Sequence, residues 1–190
     1  MNDVIFETVV STLAADGAVH VAPMGVRYRD GLVILMPFRP SGTHDNIVAT
    51  GLAVLNVVLD TRIFAGCVTG RRDWPTLAAE RILGVRLAAA LSHLELKLAE
   101  RIDDDQRPVL KMARVHEVQH GVFAGFNRAQ AAVIEGAVLV SRLHMLPREK
   151  VDTEMAYLQI AIDKTAGPEE HEAWGWLKDA VARHWKDETP

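Results

Sequence analysis

The hydrophobic pattern of the chain changes period near residue 125, and that change limits its possible folds more than any other feature. Before it, apolar residues come in short runs broken by Gly, Asp and Pro; after it, they recur at helical spacing. Residues 4–13 read as a strand rich in Val, Ile, Phe and Thr, ended by the turn Ala15-Asp16-Gly17. Residues 19–29 form a second extended run, turned at Asp30-Gly31 into residues 32–36. Asp-Gly between two apolar runs is a hairpin signal. Residues 52–59 are continuously apolar, as expected of a strand buried on both faces. Leu94, Leu96 and Leu98 alternate with Glu95 and Lys97, the pattern of a half-buried strand. Residues 70–90 are ambiguous, with a short helix over 75–83 as one reading.

Beyond residue 125, Asn127 is placed to cap a helix running to about Leu143, with Val133, Ala137 and Val140 on one face. A second helix starts near Pro147, carries the stripe Val151, Met155, Leu158 and Ile162, and is stopped by Gly167. A third has Pro168 in its first turn, with Glu169 and Glu170 near its positive end and the stripe Trp174, Leu177, Val181 and Trp185. The expected fold class is therefore α+β, with a β domain over residues 1–124 and a helical C-terminal segment over 125–190. Three amphipathic helices must pack on something, either the β half or a partner subunit.

Composition narrows the setting. In 190 residues, 49% hydrophobic content supplies a core, and 24% charged residues is ordinary for a globular chain. No apolar stretch is long enough to span a bilayer, and the N-terminus lacks the basic-then-apolar order of a signal peptide. One cysteine, Cys67, excludes an internal disulfide and fits a reducing cytosol. The net charge of -4, with no basic run, argues against a nucleic-acid partner. The expectation is a cytoplasmic protein.

The segment richest in chemistry is His20-Val21-Ala22-Pro23-Met24-Gly25-Val26, followed by Pro37-Phe38-Arg39-Pro40-Ser41-Gly42-Thr43-His44-Asp45-Asn46. Ser41 or Thr43 can cap a short helix that Gly51 ends, and a helix N-terminus presents unpaired N–H groups that suit a phosphate. Arg39, four residues before Thr43, can add a two-pronged charge-assisted contact. By itself this spacing fits a plain capped helix beside a solvated arginine, and read alone that interpretation leads. Pro23 shifts the balance, because within an extended run it removes a ladder donor and marks an edge or bulge. Gly25 lets another group approach the backbone. An exposed strand edge can hydrogen-bond a flat heterocycle, so edge and helix together would form one mononucleotide site.

The order of these pieces, Ala-Pro-Met-Gly, a hairpin, Ser-x-Thr-x-x-Asn-Ile and an apolar strand with an Asn, resembles the FMN-binding split-barrel proteins. That superfamily holds the flavin reductases and the pyridoxamine-phosphate-oxidase-like proteins. Gly125-Phe126-Asn127-Arg128-Ala129 and Ser141-Arg142-Leu143 resemble a poorly characterised branch seen in methanogenic archaea and one-carbon-metabolising bacteria. The resemblance implies an antiparallel split β-barrel followed by three helices, binding FMN in a homodimer at or near the subunit interface. Pro23, Met24 and Gly25 would line the isoalloxazine ring, and Arg39, Ser41, Thr43 and Asn46 would hold the phosphate and ribityl end. Asn56 matches the family's apolar-Asn strand and reads as a structural hydrogen-bonder. The implied function is a flavin-dependent oxidoreductase acting on a small molecule, with a non-catalytic flavin carrier or sensor as the alternative. No catalytic residue and no nicotinamide motif stand out.

A competing motif is His116-Glu117-Val118-Gln119-His120, which matches the H-E-x-x-H of zinc peptidases. That chemistry needs a helix, where positions i and i+4 share a face about 6 Å apart along the axis. On a strand the same spacing is about 13 Å, too far for one zinc. Pro108 could start a helix and Gly121 end one, and Glu135 is a conceivable third ligand, whereas the family resemblance places a late barrel strand here. No metal is expected. His20, beside the flavin strand, reads as a surface histidine, and Cys67 as a buried spectator.

Overall fold

The computed structural model describes residues 4–187. They fall into two compact units. The first comprises the chain up to Val58 with Asp73–Phe123, and the second Leu59–Arg72 with the chain from Ala124. The third break in the chain lies between Phe123 and Ala124, beside the expected division at residue 124.

The first unit holds β1 (Phe6–Leu13), β2 (Val19–Arg29), β3 (Leu32–Leu35), α1 (Gly42–Thr50) and β4 (Leu52–Val58). It continues through β5 (Thr76–Ala78), β6 (Val85–Leu87), β7 (Ala90–Ile102) and β8 (Val109–Gln119). Six of these strands close an antiparallel barrel in the order β1-β2-β3-β8-β7-β4. The Asp30-Gly31 signal is realised: both residues have positive φ, 51° and 78°, as a type I′ hairpin turn requires. Alternation along the strands turns Val10, Val26, Val33, Leu35, Leu55, Leu94, Leu96, Leu110 and Met112 into the barrel core. Helix α1 adds Ile47, fully buried in that core, a contribution of about 1.5–3 kcal/mol that holds the helix on the barrel.

Residues 75–83 are not a helix. β5 and β6 make a small hairpin, and barrel side chains satisfy its backbone. Ser11 Oγ donates to Val85 O at 2.6 Å, and Asn56 Oδ1 accepts from Leu87 N at 2.8 Å. The Glu95 carboxylate accepts from the N–H groups of Glu80, Arg81 and Ile82 at 2.6, 2.8 and 2.9 Å. These partners come from 13 to 74 residues away in sequence, which is why local periodicity could not assign the segment.

The second unit contains α2 (Arg62–Val68), α3 (Arg128–Val140), α4 (Arg148–Thr165) and α5 (Pro168–Asp187). Asn127 is the N-cap of α3, accepting from Ala129 N at 2.7 Å and Gln130 N at 3.3 Å. Helix α4 follows Pro147 and ends at Thr165, before Gly167. Trp174 and Leu177 of the predicted α5 stripe are buried, while Val181 and Trp185 are half-buried. Helix α2 has no counterpart in the sequence reading. It is short and nearly uncharged, and it belongs with these helices through Arg62, which binds Asp60, Glu169 and Glu172. Among the described residues, no helix is long and apolar enough to cross a membrane.

Candidate functional site

Ser41, in extended conformation, is the N-cap of α1, and its Oγ accepts from His44 N at 3.4 Å. Gly51, at φ 73°, closes the helix in the left-handed conformation. Of the two capping residues considered, Ser41 takes the role, which leaves Thr43 in the first turn with its hydroxyl uncommitted. Thr43 is 1% exposed and His44 3% exposed, yet Thr43 Oγ1 and His44 Nε2 have no hydrogen-bond partner. The His44 ring is oriented by Nδ1, 2.8 Å from Asp45 Oδ1. The backbone N–H groups of Gly42 and Thr43 also make no hydrogen bond among the described residues. Most buried polar groups in a folded protein are paired, and an unpaired one costs about 1–3 kcal/mol. The N–H groups of Gly42 and Thr43 and the Thr43 hydroxyl form a donor set at one helix N-terminus suited to an anion, whereas His44, with Nδ1 donating to Asp45, leaves Nε2 as an acceptor.

Arg39 adds positive charge two residues before the cap. Its side chain is exposed and makes no ion pair or hydrogen bond among the described residues, while its N–H donates to Gln106 O at 2.9 Å and fixes the loop. Asn46 behaves differently from its neighbours. Its Nδ2 donates to Thr12 Oγ1 at 2.9 Å, tying α1 to β1. His20, read from sequence as a surface histidine, lies against the helix start. A Cβ at Gly42 would come within 3.2–3.3 Å of three His20 ring atoms. The sequence marks neither His20 nor His44 as a site residue, because only the fold brings one to Gly42 and buries the other.

Pro23, Met24 and Gly25 lie on β2, opposite Val9, Thr8 and Glu7 of β1. β3 pairs only with Arg27–Arg29 of β2, so residues 19–26 have a strand partner on one side alone. Pro23 thus occupies an open edge, where its missing N–H breaks no ladder. Met24 turns its side chain toward the barrel core. At Gly25 the space a Cβ would fill is taken by Ile5 Cγ2, 2.8 Å away, so the close approach there is by β1's own flank. Asn56 is fully buried: Nδ2 donates toward Val9 O and Ser11 Oγ, and Oδ1 accepts from Leu87 N. The structural role expected for it holds.

The H-E-x-x-H segment lies on β8, with only His120 just beyond its end. The helix that the peptidase motif requires is absent from the segment, and the zinc-hydrolase alternative fails with it. His116 instead faces Glu80, Nε2 to Oε2 at 3.1 Å, and His120 faces His93, at 2.8 Å. Cys67 is buried on α2, in the second unit.

A closed six-stranded antiparallel barrel with α1 docked on it is the split-barrel fold of the FMN-binding type. Residues 6–121 match the N-terminal domain model of DUF447, a protein family of unknown function, and residues 127–179 match the model of its second part; the chain belongs to the DUF447 family. The structure is similar to that of an FMN-bound DUF447 protein from Methanosarcina mazei, with a TM-score of 0.80 and 19% identity over 94% of this chain and 96% of that one. The 2-nitrobenzoate 2-nitroreductase of Pseudomonas fluorescens matches at TM-score 0.53 and 19% identity, over 63% of this chain and 66% of its own. A flavoredoxin from Methanosarcina acetivorans matches at TM-score 0.52 and 10% identity, over 63% and 74%. No curated protein matches the chain. The family resemblance read from the sequence is borne out, and so is the fold.

Proposed function

We propose that this protein binds FMN and acts as a flavin-dependent oxidoreductase on a small molecule. The observation that carries the reading is the first turn of α1, where the N–H groups of Gly42 and Thr43 and the buried Thr43 hydroxyl have no partner among the described residues. The FMN in the related Methanosarcina mazei protein supports the choice of ligand. In this reading the first turn and Arg39 hold the phosphate, and Ser41 keeps the turn in shape. Asn46, bonded to Thr12, keeps α1 in register with the barrel. The open edge of β2 around Pro23, Met24 and Gly25 takes the ring, in a homodimer. Bound FMN would supply the electron transfer, so the chain's task is to place the ring and exclude side reactions.

The first experiment is an absorption spectrum of the purified protein, followed by FMN titration of the flavin-free form. Stoichiometric binding is expected, and the double variant Arg39→Ala, Thr43→Ala should weaken it at least tenfold, about 1.4 kcal/mol. A smaller loss places the phosphate elsewhere, and no binding at all refutes the ligand. Bleaching of the bound flavin by NADH or NADPH, with reoxidation by a defined acceptor, separates an oxidoreductase from a carrier or sensor.

A further inference from the structure

The barrel wall formed by β7 and β8 holds a second group of uncommitted chemistry, which the flavin reading does not use. Glu95 and His93 of β7 are both fully buried, and His120, just past β8, is exposed. The Glu95 carboxylate lies 3.3 Å from His93 Nε2, and His93 Nδ1 lies 2.8 Å from His120 Nε2. The two imidazole planes are within 5° of each other with centroids 5.1 Å apart, so the rings meet edge to edge in one plane. The shared hydrogen then lies near the line between two in-plane lone pairs, the best geometry for proton transfer.

The hydrogen bonds fix the direction of this chain. Glu95 accepts from the N–H groups of Glu80, Arg81 and Ile82. Burial acts to raise its pKa, but these bonds and the one from His93 outweigh it and keep the carboxyl ionised. An ionised Glu95 requires a hydrogen on His93 Nε2. A neutral His93 then accepts at Nδ1, and His120 must donate from Nε2, which leaves the lone pair of His120 Nδ1 as the outer end. A tetrahedral metal between the rings, with ligand distances of about 2.0–2.1 Å, would hold the two nitrogens about 3.3 Å apart, so a proton fits the 2.8 Å gap and a metal does not. His116 stands outside the chain, its ring 6.5 Å from that of His93 and its Nε2 on Glu80.

The charged and titratable groups facing His120 are Arg86 from β6, Glu80 from the β5–β6 turn and His93 from β7. Glu80 is committed to His116, whereas Arg86 makes no ion pair among the described residues and only donates to Leu87 O. Anchoring the β5–β6 turn needs Glu95 alone and gives no reason for two aligned imidazoles leading from it to solvent.

We propose that Glu95, His93 and His120 form a proton-transfer site, with His120 Nδ1 as general base toward a small weak acid whose conjugate anion pairs with Arg86. The substrate's X–H bond breaks with its electron pair staying on the substrate. His120 Nδ1 takes that proton, and the Nε2 proton of His120 passes to His93 Nδ1. His93 becomes an imidazolium against ionised Glu95, and the reverse transfers return the proton to solvent. His93 and Glu95 are positioning residues.

Two measurements on the whole protein test this. In imidazole nitrogen NMR of the labelled protein at neutral pH, both rings should be Nε2–H tautomers; a hydrogen on His120 Nδ1 with Nε2 bare overturns the relay. The second uses 5-nitrobenzisoxazole, which opens to a phenolate when a base removes its C–H proton. His120→Gln, at an exposed site, should lower the protein-catalysed rate at least tenfold, and Glu95→Gln should shift the pH midpoint of that rate. A His120→Gln rate equal to the parent's overturns the base. Flavin-free protein serves for both, so failure here leaves the FMN reading standing and the converse also holds.

Discussion

Thr43→Val separates the two energies that meet at the first turn of α1. The hydroxyl is buried in a residue 1% exposed and has no partner, so the flavin-free fold carries a desolvation penalty of about 1–3 kcal/mol for it. Valine keeps the shape and the β-branch, hence a similar side-chain entropy cost, and removes only the polar atom. The flavin-free protein should gain about 1 kcal/mol, read as a higher urea midpoint at constant m. FMN affinity should move the other way. A hydrogen bond to a charged group contributes about 1.5–3 kcal/mol, so its loss raises Kd about 10- to 150-fold, measurable by quenching of flavin fluorescence. Ser41→Ala is the control: it removes a cap and should destabilise by about 0.5–1 kcal/mol, the lower end because its bond to His44 N is long at 3.4 Å. If Thr43→Val destabilises the flavin-free protein and leaves Kd unchanged, the hydroxyl has a protein partner and the phosphate lies elsewhere.

Three further outcomes follow from the packing and the buried charges. Asn56→Ala strips the acceptor from Leu87 N at a fully buried position; the unpaired N–H and the lost volume should cost about 3 kcal/mol in urea unfolding. Gly136→Ala would put a Cβ 2.7 Å from Trp174 Cζ3 in the helical unit. It should destabilise that unit by about 1–3 kcal/mol and perturb the Trp174 near-ultraviolet signal. The third concerns acid. Glu95 and His120 both have folded pKa values below their ordinary 4.5 and 6.5. For Glu95, burial raises the value and the backbone and His93 bonds lower it further; for His120, burial, Arg86 and His93 all lower it. Each group binds fewer protons folded than unfolded, so its contribution is complete above those ordinary values. It is lost as pH falls through the depressed folded ones, first for His120 and then for Glu95. Urea midpoints should fall on acidification below about pH 6, and Glu95→Gln should flatten the lower part of that fall; an unchanged slope refutes the assignment.

Local signals carried the barrel's strands and the C-terminal helices because each is written in one segment. Asp30-Gly31 sets its hairpin by positive φ, Asn127 caps α3 through its own neighbours, and Leu94 and Leu96 alternate into the core. What was not legible depends on distant partners. The 76–87 hairpin is held by Ser11, Asn56 and Glu95. The half-buried alternation of residues 94–98 gave no sign that its polar member, Glu95, was buried. In the same way H-E-x-x-H is a motif only on a helix, and β8 pairs with β7 from Val109 to Gln119, with register shifts between Glu95 and Leu96 and between Leu98 and Glu100. At the candidate site, the sequence located the capped turn and Arg39 but not the contact of His20 with Gly42, which spans a barrel strand and the hairpin between them.

The open edge of β2 and the imidazole pair are tied to one barrel wall. Pro23, Val9, Asn56, His93 and Val118 are successive cross-strand partners along β2, β1, β4, β7 and β8. At about 4.8 Å between strands, Pro23 and His93 stand about 14 Å apart along that row. Asn56, at its middle, bonds to Val9 on one side and carries Leu87 on the other. The same buried amide therefore supports both the open edge of β2 and the hairpin that bears Arg86. Loss of Asn56 should loosen hydrogen exchange in β1 and in residues 85–87 together, whereas two independent supports would let one loosen without the other.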